Sequence, residues 1–151
     1  MERKIKKISE SKAEQVQIVL YSDTNSSGRL FGGQLMQWID IVATVVARRH
    51  AECEVTTVAV DHLNFMEASY VGDTVILRGH ITYVGKTSME VKVDTYSESL
   101  KGKRRHVNRA YFVMVGLDKE GNPCVVPSLE LVTEEEKREW EEAQKRSKLR
   151  K

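Results

Sequence analysis

The chain has 151 residues, a length that suits one domain and can bury a core. Its 40% hydrophobic and 30% charged content describes a globular chain and excludes a disordered one. A net charge of +2, the lack of a bilayer-length apolar run and only two cysteines give no compositional case for nucleic acid binding, membrane insertion or a disulfide framework. The start, MERKIKKISESK, has no apolar signal region, and Cys53 and Cys124 fit a reducing compartment, so the expected location is cytoplasmic. The four histidines and two cysteines fall in no CxxC, HxH or HExxH spacing, so no structural metal site is expected.

Residues 1–12 are polar and basic and are expected to fray. Val16, Ile18 and Leu20 alternate with Gln15, Gln17 and Val19, which predicts a short first strand. Ser22 to Gly28 is a run of turn formers. From Phe31 to about His50 the chain is apolar nearly all round, with Leu35, Met36, Trp38, Ile39, Ile41, Val42, Val45 and Val46 outside any single narrow stripe. That reads as a buried helix. The period then changes to two, predicting strands over 55–66, 73–84, 87–98 and 104–117 joined by short turns and paired antiparallel as a meander. Met89, Val91 and Val93 take one face of the third of these; Glu90, Lys92 and Asp94 take the other. Thr133 and Glu136 form a capping box that opens a last helix, acidic first and basic late with Lys145, Arg146, Lys148, Arg150 and Lys151, an order that suits its dipole.

This order is an α+β layout, one antiparallel sheet covering one apolar helix. A single sheet cannot enclose a helix apolar on every side, so at least a dimer joined around the helices is expected. The expected division is an N-terminal extension at 1–14, a main domain at 15–130 and a charged C-terminal helix at 131–151.

The chemistry concentrates between Asn25 and Asp40. Gly32 and Gly33 stand where the helix begins, where a ligand can approach the backbone and the first-turn N–H groups have no intrahelical partner. Such groups can receive an oxyanion or a carbonyl; the glycines alone fit a plain loop-to-helix turn equally well. Asp40 shifts the balance, because a carboxylate in an apolar helix costs several kcal/mol unless it is paired or protonated. It is either a satisfied core residue, bonded to a neighbour such as Thr44, or a general base or nucleophile with a tuned pKa. Gly33 and Asp40 share a helix face but lie about 10 Å apart along the axis. One helix cannot bring both to one atom, whereas two antiparallel helices across a dimer interface can.

The pattern N-x-x-G-x-L-F-G-G-Q-L-x-x-W-I-D resembles the acyl-CoA thioester hydrolases of the hotdog fold, the broad-specificity single-domain bacterial type and its animal tandem-domain relatives. The resemblance runs from about Val19 to Leu129. It includes Val55-Thr56-Thr57, Asp61 with Phe65, Val71-Gly72-Asp73, the segment from Val84 to Val91, and Ala110-Tyr111-Phe112 ahead of Gly121. It implies a sheet wrapped on a central helix, a dimer with a continuous sheet, often assembled into a hexamer, and hydrolysis of acyl-CoA to acid and CoA with no metal.

By that resemblance Asp40 is the general base for water or the nucleophile. Asn25 is the amide that holds the water or the thioester carbonyl, and Gly33, or Gly32 beside it, supplies the polarising N–H. Thr44 orients Asp40 or the water. The pantetheine of CoA would run along Val58, Ala59 and Val60 and the segment Thr87, Ser88 and Met89. Arg146 and Lys148 would meet the phosphates, with Arg104, Arg105 and Lys86 as other candidates, although each cation alone reads equally as a solvated one. A thiolate leaves readily near neutral pH (thiol pKa about 8.5), so a base and a polarised carbonyl suffice without a Ser-His-Asp triad. CoA enters only as part of substrate and product; no cofactor is expected.

The remaining candidates read as structural. His80 is expected to face solvent, His50 to sit at a helix C-terminus, Cys53 to be a free structural thiol, and Trp38 and Trp140 to pack. A hotdog hydratase, which needs a histidine, finds none between Asn25 and Asp40. A non-catalytic acyl-CoA sensor usually carries an effector domain, for which this chain has no room.

Overall fold

The computed structural model describes residues 3–150; Lys151, counted above with the basic end of the last helix, lies outside them. Strands are β1 (Ile5–Lys7), β2 (Ala13–Ile18), β3 (Glu54–Phe65), β4 (Thr74–Val84), β5 (Ser88–Glu98), β6 (Arg104–Leu117) and β7 (Ser128–Glu130). Helix α1 spans Gly32–Ala51 and α2 spans Glu134–Arg150. The expected α+β architecture is present: five antiparallel strands in the order β2-β4-β5-β6-β3 wrap α1. The meander holds for β4, β5 and β6 only. β3, first after the helix, pairs with β6 at the far edge, so the connection from β3 to β4 crosses the sheet.

Within one chain helix α1 is not buried on all sides. Its buried residues are Leu35, Trp38, Ile39, Val42, Ala43, Val46, Ala47 and His50, a stripe at the i, i+3, i+4 spacing that faces the sheet. Met36, Gln37 and Ile41 form the uncovered side. The stripe packs on Val75, Leu77 and Ile81 of β4 and on Met89, Val91 and Val93 of β5. At Gly79 the helix comes so close that an added Cβ would lie 2.8 Å from Val42 Cγ1. The helix ends where Glu52 turns left-handed (φ 57°) and donates its N–H to the Arg48 carbonyl.

The N-terminal segment is tied down where fraying was expected. β1 pairs in parallel with β7, and Ile8 is buried. In β2 the alternation has the opposite sense from the one its apolar residues imply: Val16, Ile18 and Leu20 are exposed, while Gln15 and Gln17 are half-buried. The capping box forms as expected, with the Glu136 N–H donating to Thr133 Oγ1 at 3.1 Å.

Helix α2 lies across the other face of the sheet, over β4 and β5, and buries a polar layer there. Glu90, 1% exposed, accepts from Thr82 at 2.6 Å and from Arg146 at 2.7 and 3.0 Å. His80 does not face solvent; it is held 2.9 Å from Glu139 of α2. Burial pushes the Glu139 carboxyl up, but His80 and Lys92 beside it prevail and hold it down at about 2. Among the described residues, no helix is long and apolar enough to cross a membrane.

Candidate active site

The site grows from the loop that delivers the chain to α1. Asn25 organises that loop. Its Oδ1 accepts the Ser27 N–H at 3.0 Å, the Ser27 hydroxyl at 2.8 Å and the Arg29 N–H at 3.2 Å. All three partners are donors, so this oxygen is spent on the loop and the Nδ2 amide is left to donate elsewhere. The loop is anchored by the Leu30 N–H on the Ser69 carbonyl and the Phe31 N–H on the Asp23 carbonyl, both at 2.8 Å.

Phe31 occupies the N-cap of α1 and offers no side-chain acceptor. The first-turn N–H groups of Gly32 and Gly33 are therefore uncapped, with the positive end of the helix dipole behind them. Asn25 and Gly32 line a pocket of about 390 Å³ with Arg29, Leu35, Phe65 and Met66. Asn25 and the start of α1 thus border one open pocket whose lining mixes apolar side chains with the polar Arg29, Glu67 and Ser69.

Asp40 sits two turns further along α1, half-buried at the border between the covered stripe and the uncovered side. Its Oδ1 accepts a hydrogen bond from Thr57 Oγ1 at 2.6 Å. Thr57 comes from β3 and was given no role in the sequence reading; the expected neighbour, Thr44, is not the partner. In β3 Val55 and Thr57 are half-buried while Thr56 is exposed, and with the apolar Val58 and Val60 on the exposed face the sequence alone does not single out Thr57. Register then shifts between Thr57 and Ala59. Such a bulge re-aims the strand's side chains, here directly beside Asp40.

The candidate CoA segments lie on either side of β6 and are offset along it. Ser88 and Met89 pair with Val115 and Met114, level with Thr56 and Thr57, whereas Ala59 and Val60 pair with the next residues, Val113 and Phe112. Val58 and Val60 are exposed on an edge strand, whereas Met89 is fully buried. Arg146 and Lys148 lie across the sheet from Asp40. The Arg146 guanidinium is committed to Glu90 and stacks 3.8 Å above the Tyr111 ring; Lys148 is exposed. Lys86 and Arg104 are exposed, and Arg105 is ion-paired with Glu67 at 3.5 Å. Among the described residues, no cluster of three or more His, Cys, Asp or Glu is placed to hold a metal ion.

Comparison with known proteins gives a consistent picture. Residues 27–102 match the thioesterase superfamily. An uncharacterised acyl-CoA thioester hydrolase of Bacillus subtilis, YkhA, is 38% identical over 84% of this chain and 74% of its own. Mouse acyl-coenzyme A thioesterase 11 is 35% identical over 93% of this chain, which spans only 24% of that longer protein. An apo-hexameric acyl-CoA thioesterase superposes with a TM-score of 0.94 at 38% identity, covering 97% of this chain and 95% of its own. An acyl-CoA hydrolase of Staphylococcus aureus, solved with butyryl coenzyme A, coenzyme A and coenzyme A disulfide, gives 0.91 at 33% identity, covering 97% and 90%. That hydrolase has also been solved as variants with an aspartate, an asparagine or a threonine changed to alanine.

Proposed function

The chain belongs to the thioesterase superfamily, and from that premise we propose that it hydrolyses acyl-CoA thioesters to the free carboxylic acid and CoA. The observation that carries the reading is Asp40, a half-buried carboxylate with one oxygen held by Thr57 at 2.6 Å. Asp40, Asn25 and Thr57 match in kind the aspartate, asparagine and threonine altered in the Staphylococcus hydrolase.

The thioester carbonyl oxygen accepts from the N–H groups of Gly33 and Gly32 and from the Asn25 amide, which draws electrons from the carbonyl carbon. Asp40 then acts in one of two ways. As a base it takes a proton from water as the water oxygen bonds to that carbon; as a nucleophile its own oxygen attacks and water later cleaves the anhydride. In both, the C–S bond breaks from a tetrahedral oxyanion and CoA leaves as the thiolate. Thr57 holds one Asp40 oxygen, which leaves the other to react.

Gly33 and Asp40 of one chain are too far apart to share an atom, so the site forms between two copies, with Asp40 of one facing the helix start of the other. The CoA arm runs along Val58, Ala59 and Val60, beside Thr87, Ser88 and Met89. Lys148 reaches the phosphates more readily than Arg146, which is held by Glu90. Residues 15–130 form the catalytic unit, with 1–14 and 131–151 as additions; the assembly is a dimer that joins into a hexamer. The chemistry needs no cofactor, and the proposed location is cytoplasmic.

A thiol-release assay over acyl-CoAs from acetyl to palmitoyl, run with wild type and Asp40→Asn, tests this reading. Turnover in the wild type, lost in Asp40→Asn while the variant still binds CoA by calorimetry, is expected. Tight CoA binding with no wild-type turnover on any chain length would replace the enzyme with an acyl-CoA sensor.

A further inference from the structure

Cys53 and Cys124 are 71 positions apart in the chain, yet their sulfurs lie 3.7 Å from each other. Neither has a part in the proposed hydrolysis. Three local features build the contact. Cys53 stands in the turn after α1, directly behind Glu52 with its left-handed backbone. Cys124 is held against β6 by its N–H, which donates to the Gly116 carbonyl at 2.9 Å. Gly116 lies beneath both sulfurs: a Cβ there would come 3.3 Å from Cys53 Sγ, 3.5 Å from Cys124 Sγ and 2.8 Å from Val126 Cγ1. The missing side chain is what leaves room for two thiols over one point of the sheet.

We propose that Cys53 and Cys124 form a reversible dithiol–disulfide site that is oxidised by small-molecule disulfides. Both thiols are half-buried, so each retains access to solvent. The disulfide bond is about 2.05 Å long, so the sulfurs must close by roughly 1.6 Å. Neither residue lies in a helix or strand, and both can rotate at χ1. In the first step the Cys53 thiolate attacks one sulfur of the small disulfide, forms a mixed disulfide and expels one small thiolate. In the second, the Cys124 thiolate attacks the Cys53 sulfur and expels the other. The protein loses two electrons and two protons, and the oxidant becomes two thiols. Burial and the hydrogen bond with Cys53 hold the Cys124 thiol up, which suits the second, resolving part. The closed bond ties the end of α1 to the segment leading to Pro127, whose carbonyl already receives His50. It also shortens a long loop of the unfolded chain, so the oxidised form unfolds at higher temperature.

The test uses the full chain incubated natively with oxidised glutathione, followed by thiol counting, intact mass and thermal melting. Wild type is expected to go from two free thiols to none, to lose two hydrogens in mass with no glutathione retained, and to melt several degrees higher. Dithiothreitol reverses all three. Cys53→Ser and Cys124→Ser carry one cysteine each, cannot close the bond and show no rise in melting temperature, and Cys124→Ser traps one glutathione on Cys53. A wild type that retains glutathione, links to a second chain, or keeps both thiols until denatured would overturn the proposal. None of these outcomes depends on thioesterase activity.

Discussion

Asp40 owes its orientation to a side chain from another element. A hydrogen bond to a charged group contributes about 1.5–3 kcal/mol, and the Thr57 hydroxyl supplies one at 2.6 Å to a half-buried carboxylate. Thr57→Val keeps the shape of the strand and removes that donor. If the bond acts mainly on the reacting geometry, kcat should fall roughly ten- to a hundredfold with KM little changed, and Thr57→Ser should recover most of the loss. A matched fall in melting temperature without a kcat effect would instead make Thr57 a packing residue; initial-rate kinetics and melting curves on both variants separate the two. The proposed site residues Asn25, Gly32, Gly33 and Asp40 could be put forward from the sequence because they lie within sixteen consecutive residues carrying one recognisable pattern. Thr57 could not. Nothing local marks which of two adjacent threonines faces the helix, and the bulge that sets β3 beside Asp40 exists only once β3 has paired with β6.

At the scale of elements, the two helices are held by opposite means. α1 is seated by apolar burial, but its last turn carries a buried histidine. His50 Nε2 donates to the Pro127 carbonyl at 2.7 Å, so Nδ1 is the bare nitrogen, and it has no partner among the described residues. Burial lowers the His50 pKa below its ordinary 6.5, the Pro127 contact only partly opposing this. As pH falls through 6.5 the unfolded chain therefore takes up a proton that the folded chain refuses, and stability drops until the folded value is reached. Urea unfolding at intervals from about pH 8 to pH 5 should show this decline, and His50→Gln should flatten it whatever its effect at pH 8. α2 is seated through charge. Removing Arg146 leaves the buried Glu90 with only Thr82 and the more distant Arg150, 3.6 Å away, so Arg146→Met should cost up to about 3–5 kcal/mol, measured by the same unfolding. Adding Glu90→Gln should recover part of that cost, since the stranded charge is then gone. The bounds of β3 to β6 and both helices were readable from periodicity and the capping box, whereas β1, β7 and the facing of β2 were not. The packing of a highly charged helix onto the sheet was not, because Glu90 and Arg146 look like solvated residues until tertiary structure brings them together.

As a single chain the molecule leaves one apolar side of its central helix in water. The uncovered side of α1 holds Met36 at 38% exposure and Ile41 at 46%, on either side of Asp40. Leaving such side chains in water forgoes about 25 cal/mol for each Å² of apolar surface, and the edge strand β3 beside them presents Val58 and Val60 with nothing paired on its outer edge. A second copy meeting this side would cover the apolar residues and carry its own helix start toward Asp40. Ile41→Arg tests that directly, because it forces a charged guanidinium into the proposed apolar contact between two helices. Wild type is expected to run by light scattering at a multiple of 17.2 kDa. Ile41→Arg should shift toward the single-chain mass with unchanged far-ultraviolet circular dichroism, and thiol release per chain should fall as the assembly dissociates. Mixing two inactive variants sharpens the point. Asp40→Asn and a second chain altered at Asn25, unfolded and refolded together, should regain part of the wild-type rate only if each site draws Asp40 from one chain and Asn25 from the other. A mixture no faster than its two components, with mixed assemblies shown by mass, would place both residues in one chain's site and leave the dimer a purely structural role.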